Sequence, residues 1–363
     1  MVFYYLASLA GVPAGWLLFR NARTLPGAIA NGKSHNVSLI IPARNEEATL
    51  PTLLRSLREG TVQPAEIIVV DDHSSDRTAE IARGFGAKVI AAAPLPPGWT
   101  GKTWACAQGA RAAAGTTLLF LDADTMLAPD GLARILNTYW ALQPPSALSV
   151  LPFHAMQRAY EQLSLFFNLI MAAGAGGFSG FVEPELFGQS LMIDRDLYQA
   201  VGGHESVRQH VLENLHMAAH IREAGRKTIT AVGQGSLSMC MFPGGTSQLV
   251  EGWTKGFAAG AASTPRSTVW LISLWIAGLA LSAINLLAAT VSVPTSIASR
   301  CIALLVYVVF ATQIFVLSHR FGSFKFWAAL VYPVFLAFYL AVFARSVLLR
   351  RRGTGATWKG RSL

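Results

Sequence analysis

Leu118-Leu119-Phe120-Leu121-Asp122-Ala123-Asp124-Thr125 is an apolar run that delivers two carboxylates, one residue apart, where a strand should end. Side chains alternate faces along a strand, so residues i and i+2 point the same way. Asp122 and Asp124 can therefore converge on one hard cation. A divalent metal held by one or two carboxylates usually completes its shell with phosphate oxygens. Taken alone, the pair reads as an Asp-rich turn. The neighbouring strand ends decide otherwise.

From Val37 to about Met241, strand-like runs alternate with helical stretches. That alternation predicts an α/β domain with a mostly parallel sheet and helices on both faces. Val37-Ser38-Leu39-Ile40-Ile41 is the first strand and ends in Pro42-Ala43-Arg44-Asn45-Glu46-Glu47, with a helix over about 48–58. Glu66-Ile67-Ile68-Val69-Val70 is the second and ends in Asp71-Asp72-His73-Ser74-Ser75-Asp76, where Ser75 or Asp76 can cap the next helix. A third strand covers 87–91, and a Pro/Gly loop over 94–102 leads into a small-residue helix to about Ala114. Each polar cluster falls at the C-terminal end of a strand, where open α/β sheets bind ligands.

The set Ile-Ile-Pro-Ala-Arg-Asn-Glu-Glu (40–47), Val-Val-Asp-Asp-His-Ser-Ser-Asp-Arg-Thr (69–78) and Leu-Asp-Ala-Asp (121–124) resembles the family-2 glycosyltransferases with a GT-A nucleotide-sugar fold. The resemblance spans roughly 37–260. Pro97-Gly98-Trp99-Thr100-Gly101-Lys102 and Gly252-Trp253-Thr254-Lys255-Gly256 are similar to the membrane-bound subgroup acting on carotenoid (diaponeurosporenoate) or hopanoid lipids. The resemblance implies that Asp72 reads the nucleotide base and that Pro42, Arg44 and Glu46 line the same pocket. It also implies that Lys102 neutralises a phosphate and that Asp122 and Asp124 hold Mg²⁺ or Mn²⁺ against the diphosphate. The bland readings are a helix first-turn acid for Glu46 and a solvated loop lysine for Lys102.

Farther along, a helix is expected over about 130–142, a strand over 146–152, and a strand over 187–193 followed by a helix ending at Gly202-Gly203. The family's catalytic acid pair, Glu-Asp or Asp-Asp, is matched by Glu213-Asn214. Asn cannot accept a proton at neutral pH, so Glu213 is the base candidate, with His210 and His216 as local alternatives. His216 and His220 have metal-ligand spacing on a helix, but no Glu lies between them in an H-E-x-x-H pattern and no zinc site is expected. The family's Q-x-x-R-W element is represented by Gln248-Leu249-Val250-Glu251-Gly252-Trp253, one residue longer and without the Arg. Gln248 and Trp253 are expected to border acceptor and diphosphate, with Lys255 supplying the missing cation. A single transfer fits this better than processive synthesis.

The 363 residues are 52% hydrophobic and only 13% charged, against roughly 25% charged in an average soluble domain. The deficit lies at the two ends and points to membrane segments. The net charge of +9 is scattered, which suits anionic lipid head groups and a nucleotide diphosphate and not a nucleic acid. Cys106, Cys240 and Cys301 have no metal-ligand spacing and are expected to be reduced. Val2 to Phe19 reads as a transmembrane anchor, and a signal peptide is the alternative. Arg20 and Arg23 follow it, placing the next domain in the cytoplasm. Residues 163–181 are expected to form an interfacial helix. Residues 269–291, 301–318 and 326–349 can cross the membrane, with Pro333 kinking the last. Three such crossings place the basic tail 350–363 outside, against the usual preference of basic residues for the inside.

The expected organisation is thus an anchor (1–20), a linker (21–36), a GT-A catalytic domain (37–262), transmembrane helices (263–349) and a basic tail (350–363). The expected protein is a multi-pass cell-membrane enzyme transferring one sugar, with inversion, from UDP-glucose or another nucleotide-diphosphate sugar to a lipid such as a carotenoid acid. Alternatives are a hopanoid or polyprenyl-phosphate acceptor, or a nucleotide-binding scaffold without activity.

Overall fold

A computed structural model describes residues 2–27, 36–142, 144, 146–175, 177–210, 212–291, 296–351, 357–358 and 361–362. Side chains of 2–4, 255–259, 261–263 and 351 onward lie outside that description. The chain forms two compact units, one of residues 23–155, 184–241 and 357–363, the other of 1–22, 156–183 and 242–356.

Among the described residues the first unit carries twelve strands: β1 (Val37–Ala43), β2 (Glu66–Asp71), β3 (Lys88–Ala91), β4 (Thr117–Leu121), β5 (Thr125–Leu127), β6 (Ala147–Leu151), β7 (Phe153–His154), β8 (Ser190–Asp194), β9 (Thr228–Val232), β10 (Leu237–Met239) and a short antiparallel pair, β11 (Thr357–Trp358) and β12 (Arg361–Ser362). Seven form one sheet in the order β3-β2-β1-β4-β8-β6-β9, and β5-β10-β7 form a second. The large sheet is parallel except for β8, which runs antiparallel to β4 and β6. Unbroken apolar runs such as Leu39-Ile40-Ile41 are what a sheet covered on both faces requires.

Successive residues feed opposite faces. Leu39, Ile41, Val69, Leu119 and Leu121 join Leu50, Leu53, Leu54 and Leu57 of the helix Leu50–Glu59 in one core. Ile40, Ile68, Val70, Leu118 and Phe120 join the helices Gly101–Ala112 and Glu213–Glu223 in the other, through Ala105, Cys106, Met217 and Ile221. Each Leu or Ile so enclosed contributes about 1.5–3 kcal/mol. The helices that carry Lys102 and Glu213 therefore cover the same face. The segment expected as a polar linker is not uniformly so: Leu25 is buried in the first core, and Arg23 O accepts from Val232 N at 2.9 Å. Residues 28–35 are outside the described set.

The second unit is helical. Arg266–Val291, Ile297–Ser318 and Tyr332–Arg350 are long and apolar enough to cross a membrane. They display Trp270, Leu305 and Val334 on exposed surfaces, as lipid-facing helices do. The expected N-terminal span is instead two eight-residue helices, Val2–Leu9 and Gly11–Leu18. Gln313 Nε2 donates to Val12 O at 2.7 Å, and Trp275 Nε1 donates to Gln313 Oε1 at 3.0 Å. These bonds satisfy the buried amide and tie the N-terminal segment to the long helices.

Pro333 does not kink a continuous helix. A short helix ends at Leu330 and a new one starts at Tyr332, which places Pro333 in a first turn, where no N–H is needed. The 163–181 segment is not interfacial: Leu165–Ala175 is a helix whose Leu165, Phe166, Phe167 and Leu169 are fully enclosed. It groups with the terminal helices, so the expected 37–262 domain is divided between the units.

Candidate active site

β4 ends at Leu121, three residues short of the Asp124 that alternation along a strand would have to reach for Asp122 and Asp124 to share a face. A turn replaces it. Asp122 N donates to Gln189 O at 3.0 Å, while Thr125 N and Oγ1 donate to Asp122 O at 3.2 and 2.8 Å. Ala123 points into the core, leaving the flanking carboxylates half-exposed. Asp124 Oδ1 is enclosed and accepts no hydrogen bond. Burial first, then the charges of Asp122 and Glu46, push the Asp124 carboxyl up to about 7, against the opposing pull of Lys102. Such a group holds its proton more tightly than usual and releases it to a cation.

Lys102 stands opposite. Thr100 Oγ1 caps the helix Gly101–Ala112 by accepting from Thr103 N at 3.3 Å, which puts Lys102 in the first turn. Its Nζ lies 2.8 Å from Asp122 Oδ1, 2.8 Å from Gly188 O and 3.1 Å from Glu213 Oε1. Burial works against the ammonium, but Asp122 and Glu213 outweigh it, so the net displacement is upward and Lys102 stays charged. Glu213 is only 3% exposed, and burial raises its pKa despite Lys102. Lys102, Asp122 and Glu213, separated in sequence, thus form one ion cluster.

The two loops that follow β1 and β2 are laced together. Asn45 (φ 53) and His73 (φ 56) both adopt the left-handed conformation, unusual for non-glycine residues. Asn45 Oδ1 accepts from Ser75 N at 2.8 Å, Ser74 Oγ accepts from Asn45 N at 3.0 Å, and Thr78 Oγ1 accepts from Glu46 N at 2.8 Å. Asp76 Oδ1 accepts from Thr78 N at 3.0 Å, but the N-cap of the helix Thr78–Gly84 is Arg77, which makes no side-chain cap bond, so neither Ser75 nor Asp76 is the cap expected. Asp72 is 5% exposed, with Arg44 Nη1 at 3.6 Å from Oδ2 and His73 Nδ1 at 3.2 Å from Oδ1. Pro42 is half-buried in β1 beside them. Glu46 is not a helix first-turn acid, because that helix starts at Leu50; its Oε2 accepts from Thr49 Oγ1 at 2.7 Å.

Residues 38–164 match the family described as glycosyl transferase family 2. A 4,4'-diaponeurosporenoate glycosyltransferase of Staphylococcus aureus (strain bovine RF122 / ET3-1) is 32% identical over 353 residues, 96% of this chain and 93% of that one. The chain belongs to glycosyltransferase family 2. The counterpart in S. aureus strain USA300 is 31% identical over the same shares. A mannosyltransferase from Pyrobaculum calidifontis, solved with GDP-Man and Mn²⁺, matches with a TM-score of 0.54 at 18% identity, over 95% of this chain and 99% of that one. The GT-A fold expected from the motifs is the fold observed.

Of the residues singled out in this glycosyltransferase, Lys102, Asp122 and Glu213 meet in one cluster, the charge of Glu46 bears on Asp124, and Arg44 reaches Asp72. Gln248, Trp253 and Lys255 belong to the helical unit. There Trp253 is enclosed, stacked on Phe167 at 4.9 Å and donating to Ser164 Oγ at 3.0 Å. Gln248 Oε1 accepts from Gly244 N at 2.7 Å, and the Lys255 side chain is outside the described set. His210 and His216, the alternative bases, are exposed and stack on each other at 3.6 Å.

Two contributors escaped the sequence reading. Phe187-Gly188-Gln189 was expected within a strand, but β8 starts at Ser190, and these three carbonyls are spent on the site instead. Phe187 O accepts from Asn214 Nδ2 at 2.7 Å, Gly188 O from Lys102 and Gln189 O from Asp122 N. Asn214 is therefore a donor that an acid cannot replace. Asn214→Asp should set a carboxylate against Phe187 O beside Glu213 and destabilise the protein by about 2 kcal/mol or more. Unfolding midpoints in detergent would check this; an equally stable N214D would show that Asn214 is a spare acid position.

Proposed function

We propose that this glycosyltransferase moves one glucose from UDP-glucose to the carboxylate of a membrane-borne polyene acid, inverting the anomeric carbon. The observation that carries the proposal is the Asp122–Lys102–Glu213 cluster at the C-terminal end of β4, beside the partnerless oxygen of Asp124. Asp72 accepts from the uracil N–H, with Pro42, Arg44 and Glu46 lining the same pocket. Asp122 and Asp124 would hold Mg²⁺ or Mn²⁺, for which their all-oxygen donor set is suited. The bound ion supplies charge that steadies the departing diphosphate. Lys102 adds to it.

Glu213 Oε takes the proton of the acceptor carboxyl. The freed carboxylate oxygen attacks the anomeric carbon as the bond to the diphosphate breaks, and UDP leaves with the electron pair. Desolvation at a membrane surface disfavours the ionised carboxylate and raises its pKa, so a base remains useful. The choice of acceptor draws on the S. aureus relatives, whose name denotes such an acid. The strand-bearing unit is the catalytic one and faces the cytoplasm, following Arg20 and Arg23, and the helical unit is its multi-pass anchor.

Purified protein in detergent, given UDP-glucose, Mn²⁺ and a polyene carboxylic acid, should form a glucosyl ester that EDTA prevents. Ester formed only with hopanoid or polyprenyl phosphate would reassign the acceptor. UDP binding without transfer to any lipid would replace the enzyme by a nucleotide-binding scaffold.

A further inference from the structure

The amino group of Lys102 is ringed by oxygens, two of them hydrogen-bonded to it and two in ion-pair contact. Asp122 Oδ1 at 2.8 Å, Asp122 Oδ2 at 3.1 Å, Gly188 O at 2.8 Å and Glu213 Oε1 at 3.1 Å surround three N–H bonds. A lysine in a helix first turn faces the positive end of the macrodipole, so the helix itself does not favour it there. The carboxylates hold it in place. Both oxygens of Asp122 are thereby engaged by an ammonium, while Asp124 Oδ1 has no partner.

A divalent ion shared by Asp122 and Asp124 needs at least one of the Asp122 oxygens and brings two positive charges close to Nζ. The two cations repel, and neither arrangement tolerates the other. Gly188 has no side chain to hold the ammonium apart; a Cβ there would already lie 3.5 Å from Nζ and 3.6 Å from Glu213 Oε1. Lys102 can leave Asp122 only when another anion offers comparable compensation, and the diphosphate of the donor is such an anion.

We infer that Lys102 is the resident counter-cation of the donor-free site, excluding the divalent metal from Asp122 until a nucleoside diphosphate draws its amino group away. Metal and nucleotide then bind cooperatively: each raises the affinity of the other by the same factor, because both gain from moving one ammonium. Glu213 is neutralised by the same ammonium while the site is empty and loses that partner when the donor arrives. The inference rests on the assignment of Asp122 and Asp124 as metal ligands in the proposed function.

Mn²⁺ binding, followed by loss of the free-ion EPR signal with and without UDP, tests it. The wild-type protein should bind Mn²⁺ at least about tenfold more tightly with UDP than without. Lys102→Met should bind Mn²⁺ alone at least about tenfold more tightly than wild type, and the gain from UDP should shrink to about twofold. Because K102M strands Glu213 in the interior and can fail to fold, the Lys102→Met/Glu213→Gln double variant is measured alongside; it removes both charges and should show the same gain. Unchanged or weaker Mn²⁺ binding in the folded variants, with Mn²⁺ still bound by wild type in the presence of UDP, overturns the counter-cation role alone. Failure of wild type to bind Mn²⁺ while it binds UDP overturns the metal assignment itself.

Discussion

Asp124→Asn is expected to lower sugar transfer by about 10³-fold, the scale of removing a charge-stabilising group from a reacting centre, while making the metal-free protein more stable. The two effects have one cause. Burial, Asp122 and Glu46 all oppose the charge of Asp124 and raise its pKa from 3.8 to about 7. The folded carboxyl then binds its proton more tightly than the unfolded one. Metal-free stability from this group is fully present at low pH and is lost as pH rises through about 7. Asn carries no charge at any pH, so D124N should lose that dependence and gain about 1 kcal/mol at pH 8, the usual scale for relieving a strained functional site. Mn²⁺ should add to the stabilisation given by UDP in wild type at pH 8 and add nothing in D124N. Unfolding followed from pH 5.5 to 8.5, together with transfer assays, checks both halves; a variant that stays active, or that loses stability, contradicts the account.

Glu213→Gln should cost about 10²-fold in transfer at pH 7. Gln keeps the shape and can still accept from Lys102, so the substitution removes little except the ability to take a proton. Burial raises the Glu213 pKa, and wild-type activity should accordingly fall as pH drops through that raised value. In the variant the acceptor must ionise unaided, so its activity should climb with pH after the wild type has levelled off. If E213Q matches wild type at pH 7, the acceptor enters already ionised and Glu213 serves only to hold Lys102.

The strand ends were legible because each rests on a local rule. Apolar runs of strand length closed by polar clusters fix β1, β2 and β4, and the same-face rule brought Asp122 and Asp124 together, although a turn produces that result. Lys102 and Glu213 could be named singly but not as partners. Their contact depends on two helices covering the same sheet face, which no local pattern encodes. Asn214 looked like a defective acid because a motif reports residue type, whereas its task is set by Phe187 O across the chain. The helix Leu165–Ala175 looked like a surface element because apolar composition does not distinguish lipid from protein as a covering.

The affiliation of that helix bears on how the protein is made. Leu165–Ala175 leaves the ribosome well before Arg266–Val291 and Tyr332–Arg351, the segments with which it groups. Synthesis is vectorial, so the nascent chain must carry an uncovered apolar helix until the later apolar helices have been made, a state open to aggregation and to chaperone capture. Cutting the gene before Arg266 to obtain a soluble enzyme would make that transient exposure permanent. Residues 156–183 bind the strand-bearing unit to the fate of the chain's final hundred or so residues, and a soluble fragment would need that excursion shortened or its apolar face redesigned as well.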